Sequence, residues 1–67
     1  MGTLKLTYLG NDGWDRPVYK DQYNNYWKDI TLGRNPSKET LHDAEAFEDE
    51  QSYPMTEYPD IEDFVIL

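Results

Sequence analysis

The stretch Arg16-Pro17-Val18-Tyr19-Lys20-Asp21-Gln22-Tyr23-Asn24-Asn25-Tyr26-Trp27-Lys28-Asp29-Ile30-Thr31-Leu32 decides how this chain reads. Arg16 to Tyr23 and Tyr26 to Leu32 have strand-like composition, and Asn24-Asn25 between them can adopt the positive φ of a tight hairpin. As a two-residue loop, Asn24-Asn25 sets Tyr23 opposite Tyr26, Asp21 opposite Lys28, Lys20 opposite Asp29 and Tyr19 opposite Ile30. Two opposite-charge and two apolar pairs then face each other, each contributing about 0.2–1 kcal/mol. A slip of one residue loses all four. The register puts Tyr19, Tyr23, Tyr26, Ile30 and Leu32 on one face, with Val18 and Trp27 on the other.

Upstream, Thr3 to Leu9 alternates, with Leu4, Leu6 and Tyr8 on one side and Lys5 and Thr7 on the other, the period-2 pattern of a half-buried strand. Gly10-Asn11-Asp12-Gly13 then reads as a turn. Downstream, Gly33 closes the hairpin, and Asn35-Pro36 reads as an N-cap followed by proline at the first helical position. Leu41, Ala44 and Phe47 are spaced by three, which predicts a helix ending near Glu50. Pro54 and Pro59 make Tyr53 to Asp60 an extended loop, and Ile61 to Leu67 returns as a strand. The expected fold is α+β: a small antiparallel sheet, made of the N-terminal strand, the hairpin and a C-terminal strand, with one short helix.

At 67 residues the chain has room for one domain, 1–67, divided into a β half over 1–33 and an acidic half over 34–67. A domain of this size buries only about 60% of the surface its unfolded chain exposes. Cysteine is absent and the single His42 cannot build a structural zinc site, so aromatic packing or a partner must supply the missing stability. The six Tyr, two Trp and two Phe make a core plausible. No signal-peptide h-region and no membrane-length apolar stretch is present, which leads to the expectation of a cytoplasmic protein.

Charge is segregated along the chain. All six Lys and Arg lie at or before Lys38, where they meet four Asp, and the 29 residues from Glu39 onward carry ten carboxylates and no Lys or Arg. The first segment is formally +2, so the chain's −8 belongs to the second. Such a field attracts basic partners and repels nucleic acid and anionic membrane. On the expected helix, Asp43, Glu45, Glu48, Asp49 and Glu50 fall within about 10 Å of axis. Duplex DNA carries about one charge per 1.7 Å, so the track approaches a nucleic acid in linear density. Glu57, Asp60, Glu62 and Asp63 extend it. These nine carboxylates are the candidate partner-binding residues, although a plain solvated acidic face is the simpler reading of the same residues.

Other chemistry is thin. Neither Asn11-Asp12-Gly13-Trp14-Asp15 nor Asp60-Ile61-Glu62-Asp63 matches a calcium loop, and no metal or cofactor site is expected. There is no Cys nucleophile, no phosphate-cradling loop, and no serine placed beside His42, so no catalytic residue is expected either. Trp14, Tyr23, Tyr53 and Tyr58, in or beside turns, are the candidates for exposed interface anchors. With the tail Phe64-Val65-Ile66-Leu67 they support an alternative reading, a general interaction or regulatory module. The sequence leaves the oligomeric state open, a dimer included.

Tyr8-Leu9-Gly10, Trp14, Arg16-Pro17-Val18-Tyr19-Lys20-Asp21, Trp27-Lys28-Asp29-Ile30 and Leu32-Gly33 form a pattern over about residues 8 to 33. That pattern resembles a small uncharacterised domain of short phage and mobile-element proteins of Gram-positive bacteria. The resemblance implies a phage or mobile-element setting in a bacterial host. There, small acidic proteins without enzyme motifs are often stoichiometric inhibitors of host defence, including anti-CRISPR proteins that occupy nucleic-acid grooves. The implied partner is a basic nucleic-acid-binding protein, a CRISPR effector among them. The acidic tail lies outside the matched pattern.

Overall fold

The computed structural model describes residues 2–31 and 35–67. Leu32 and Gly33, the expected end and stop of the second hairpin strand, lie outside the described residues, as does Arg34. Five strands form one sheet: β1 (Gly2–Asn11), β2 (Pro17–Lys20), β3 (Tyr26–Asp29), β4 (Leu41–Ala44) and β5 (Ile61–Ile66). Their order is β4-β3-β2-β1-β5. The β1-β2, β2-β3 and β3-β4 pairs are antiparallel, and β5 runs parallel to β1 at the far edge. The sheet curls into a half-barrel, and the only helical element among the described residues is a 3-10 turn at Met55–Glu57.

The expected α+β class is therefore wrong, and the fold is mainly β. The helix predicted before Glu50 does not form. Asn35-Pro36 leads instead into a single turn, in which the amides of Thr40 and Leu41 donate to the Ser37 carbonyl, and β4 follows at once. Thr40, His42 and Asp43 are weak helix formers, and the exposed edge of β3 offers Leu41 to Ala44 a full ladder, with Leu41 opposite Asp29 and Ala44 opposite Tyr26. The i, i+3 spacing of Leu41, Ala44 and Phe47 is coincidental. The sheet is also mixed, since the C-terminal strand returns parallel.

The hairpin exists in a different register. Val18 opposes Lys28, Tyr19 opposes Trp27 and Lys20 opposes Tyr26, a displacement of three residues from the expected pairing. Neither expected ion pair across the strands forms. The reason lies in Asp21. Its Oδ1 accepts the amides of Tyr23 at 2.8 Å and Asn25 at 2.9 Å, while Asn24 alone takes positive φ, at 70°. Those bonds fix a three-residue loop, a turn followed by a left-handed residue, where a two-residue loop would need positive φ at both central positions. The β1-β2 connection repeats the device: Asp12 Oδ1 accepts the amides of Trp14 and Arg16, both at 2.9 Å, and Asp15 has φ 65°.

The corrected register brings Tyr19 and Trp27 together on the concave face. With Leu4, Leu6, Leu41, Met55 and Ile61 they form the buried core, against which Tyr58 and Phe64 pack. The predicted alternation of β1 holds at Leu4 and Leu6, both fully buried, and Tyr8 sits edge-on to Tyr19 at 5.7 Å while half-exposed. One residue is extra in β1 between Tyr8 and Gly10, and Gly10 takes φ 137°, a conformation that side-chain-bearing residues resist. β4 and β5 lie at opposite edges of the sheet, so the chain between them must cross from one edge to the other. The segment between Ala44 and Ile61 does so, and it closes the open face: Met55 is fully buried and Tyr58 meets Trp27 edge-on at 5.6 Å. On its way it covers the β4 edge, where Asp43 exchanges backbone bonds with Ser52 and Tyr53.

Candidate binding surface

Behind the sheet, opposite the core, lies a buried ionic cluster. Lys28 and Asp12 have side chains with no solvent exposure, and Lys28 Nζ stands 2.8 Å from Asp12 Oδ2. Arg16 Nε approaches the same oxygen at 3.1 Å, with its side chain about one-eighth exposed. The Asp12 carboxyl is held at about 2, below the usual 3.8. Burial, the largest single influence, pushes it upward, and is outweighed by the Lys28 ammonium together with the amides of Arg16 and Trp14. Trp14 roofs the cluster: the Arg16 guanidinium lies 4.6 Å and Lys28 Nζ 5.9 Å from its ring centroid.

This cluster holds the acidic loop that follows β4. Lys28 Nζ donates to the Asp49 carbonyl, and an Arg16 terminal nitrogen donates to Gln51 Oε1. The Gly13 amide donates to Glu48 Oε1 at 3.1 Å. The Phe47 ring lies against Gly10, close enough that a Cβ there would be in ordinary van der Waals contact with it. Four separate points thus tie residues 47–51 to the back of the sheet, and the carboxylates between and beside them are turned outward.

Of the nine candidate carboxylates, Glu45, Glu48, Asp49, Glu50, Glu57, Asp60, Glu62 and Asp63 are exposed. They occupy a bent loop and an edge strand instead of a helical track. Asp43 is different. It is partly buried on β4, where its Oδ1 accepts the Tyr53 amide at 2.7 Å and its Oδ2 accepts the Tyr58 hydroxyl. That bond to Asp43, followed by burial, raises Tyr58 to about 12 from 10. Asp43 organises a turn and lines a hollow of about 160 Å³ together with Asp21, Asn25, Trp27, Ala44, Tyr58 and Ile61.

Sequence reasoning missed that hollow, because it requires Trp27 to lie on the core face and Asp43 to lie on a strand. An available signal was the pair of Asp residues at the heads of loops, Asp12 and Asp21, each followed at the third position by Asp or Asn. Among the proposed aromatic anchors, Trp14, Tyr23 and Tyr53 are more than half exposed, and Tyr58 is partly buried against Trp27. In the tail, Val65, Ile66 and Leu67 are exposed and Phe64 packs on the core.

No helix among the described residues is long and apolar enough to cross a membrane. Comparison with protein-family models, with curated proteins and with solved structures finds no match to this chain.

Proposed function

We propose that this protein is a non-catalytic, stoichiometric inhibitor whose carboxylate surface occupies a basic groove of a nucleic-acid-binding protein in place of nucleic acid. One observation carries the reading. Ten carboxylates are exposed, Asp15 and Glu39 joining the eight above, whereas among the described residues Lys5 is the one exposed cation and Lys20 and Lys38 are partly buried. Arg16 and Lys28 are spent inside, on Asp12 and on the acidic loop, so that the exposed charge among the described residues is predominantly negative. Such a surface repels nucleic acid and is drawn to the proteins that bind it. The resemblance over residues 8 to 33 supplies the proposed setting, a phage or mobile element acting in the cytoplasm of a bacterial host. An anti-CRISPR-like role with a CRISPR effector as partner belongs to that setting.

Immobilised protein tests the reading in a bacterial lysate. Nucleic-acid-binding proteins captured on it should be released both by raised salt and by added duplex DNA or RNA. Capture indifferent to both overturns it. The exposure of Trp14, Tyr23, Tyr53 and the last three residues favours a second reading, an aromatic-anchored interaction module. Its binding would survive salt and vanish with the aromatics.

A further inference from the structure

The hollow beside Trp27 contains carboxylates with no counter-charge among the described residues. Asp12 has two cations, but neither Asp21 nor Asp43 has an ion-pair partner among the described residues. All their donors are neutral. Asp21, almost fully buried, accepts the Tyr23 and Asn25 amides, the Asn25 side chain and, at 3.0 Å, the Trp27 indole N–H. Asp43 accepts one donor on each oxygen, the Tyr53 amide and the Tyr58 hydroxyl. A carboxylate offers about four acceptor sites, so Asp43 keeps one free on each oxygen.

We infer that this hollow receives the guanidinium of an arginine side chain presented by a basic partner, with Asp43 as its bidentate acceptor and the Trp27 and Tyr58 rings as its walls. The inference rests on the proposed function in supposing that the partner is basic. Size agrees: the hollow measures about 160 Å³, and a cavity of about 150 Å³ takes up benzene, a ring larger than a guanidinium. Chemistry favours guanidinium over the alternatives. It is planar, weakly hydrated, stacks on aromatic rings and meets a carboxylate through two parallel N–H bonds, whereas an ammonium is a strongly hydrated point charge. A metal ion would want more oxygens, and no group of three His, Asp or Glu converges among the described residues.

The probe is N-acetyl-L-arginine amide, titrated into the ¹⁵N-labelled protein, with N-acetyl-norleucine amide as the uncharged control. The Trp27 indole resonance should shift saturably with the arginine probe alone, and the Trp14 indole should stay in place. Asp43→Asn should weaken binding by about tenfold or more, as removal of a charged acceptor does. Tyr58→Phe keeps the ring and frees an Asp43 oxygen, so it should bind the probe as well as or better than the parent. A Trp27 resonance that ignores arginine, or answers norleucine equally, overturns the inference, as does a Tyr58→Phe variant that loses binding. If Trp27 is silent while salt-sensitive capture persists, the hollow is not the receptor although the acidic surface is. If Trp27 responds while capture ignores salt and nucleic acid, the hollow stands and the inhibitor reading falls.

Discussion

Lys28 Nζ lies 2.8 Å from Asp12 Oδ2, and neither side chain is exposed to solvent. The pair joins elements that are distant in sequence, the β1-β2 loop and the middle of β3, and Lys28 then reaches past it to the Asp49 carbonyl. One ammonium thus fixes a hairpin loop and anchors the acidic segment. A buried ion pair gains little over well-packed apolar residues, yet breaking it by removing one partner is expensive. Its value here is positional: it holds a loop of like charges that would otherwise repel one another against the sheet.

Asp12→Asn keeps the shape and most of the turn's hydrogen bonds but leaves two cations beside a neutral group. A loss of about 3–5 kcal/mol is expected, a large part of the roughly 5–15 kcal/mol available to a small domain. Lys28→Met should cost less, because Asp12 retains Arg16 at 3.1 Å. Urea denaturation at neutral pH, followed by tryptophan fluorescence, orders the two. Equal losses would mean that Arg16 contributes nothing to holding Asp12.

Acid should find the same pair. Asp12 titrates at about 2 when folded and near 3.8 otherwise, so its contribution is complete above about pH 4 and is lost as pH falls toward 2. Tyr58 gives the opposite limb: raised from 10 to about 12, it supports the fold below pH 10 and ceases to as pH rises through 12. Melting temperatures across pH 2–5 should fall steeply for the parent and less steeply for Lys28→Met. Tyr58→Phe should flatten the alkaline limb and leave the acid limb as it was.

The loop register makes a sharper test, because it assigns different roles to adjacent asparagines. Asn24 sits at φ 70° and Asn25 does not have positive φ. Asn24→Val should therefore cost about 1–2 kcal/mol, the penalty of a left-handed conformation for a β-branched residue. Asn24→Gly should be neutral or slightly stabilising, and Asn25→Gly should bring no gain. Thermal denaturation of the three variants decides, and a gain at Asn25 equal to that at Asn24 would restore the two-residue loop.

The hairpin shows where the sequence was legible and where it misled. The alternation of Leu4 and Leu6 marked β1 because it reflects burial on one face, and the β-branched and aromatic composition of Ile61 to Ile66 marked β5 although only Ile61 is fully buried there. Register is different. Pairing Lys20 with Asp29 and Asp21 with Lys28 looked favourable because cross-strand charge pairs are worth a few tenths of a kcal/mol each. A nearly buried carboxylate that accepts two amides of its own loop outweighs them, and Asp21 is committed in that way. Lys28 meanwhile found Asp12, a partner visible only once β1, β2 and β3 are side by side. The helix failed for a similar reason: an open strand edge outweighs a narrow apolar stripe. The candidate carboxylates were legible as charge, and their display was not, because it depends on that long-range pair.

The acidic surface can be separated from the fold by choosing residues according to what they touch. Glu45, Asp49 and Glu50 are exposed, and their side chains make no hydrogen bond among the described residues, whereas Glu48 accepts the Gly13 amide. Glu45→Lys, Asp49→Lys and Glu50→Lys should each leave the unfolding free energy from urea denaturation within about 0.5 kcal/mol of the parent, as surface changes usually do. The three changes together should abolish salt-sensitive capture of basic proteins. Single changes should do less, since an exposed ion pair is worth about 0.2–1 kcal/mol and the loss must accumulate over several. Adding Glu48→Gln preserves the acceptor for Gly13 and should weaken capture without unlatching the loop. Lys28→Met provides the converse: every surface carboxylate remains, but the loop loses its anchor at Asp49, so amide exchange across residues 45–51 should quicken and capture should weaken through lost preorganisation. Should the triple Lys variant capture the same proteins with parental affinity at every salt concentration, the carboxylate surface is not the binding surface, and Trp14, Tyr23 and Tyr53 become the residues to replace next.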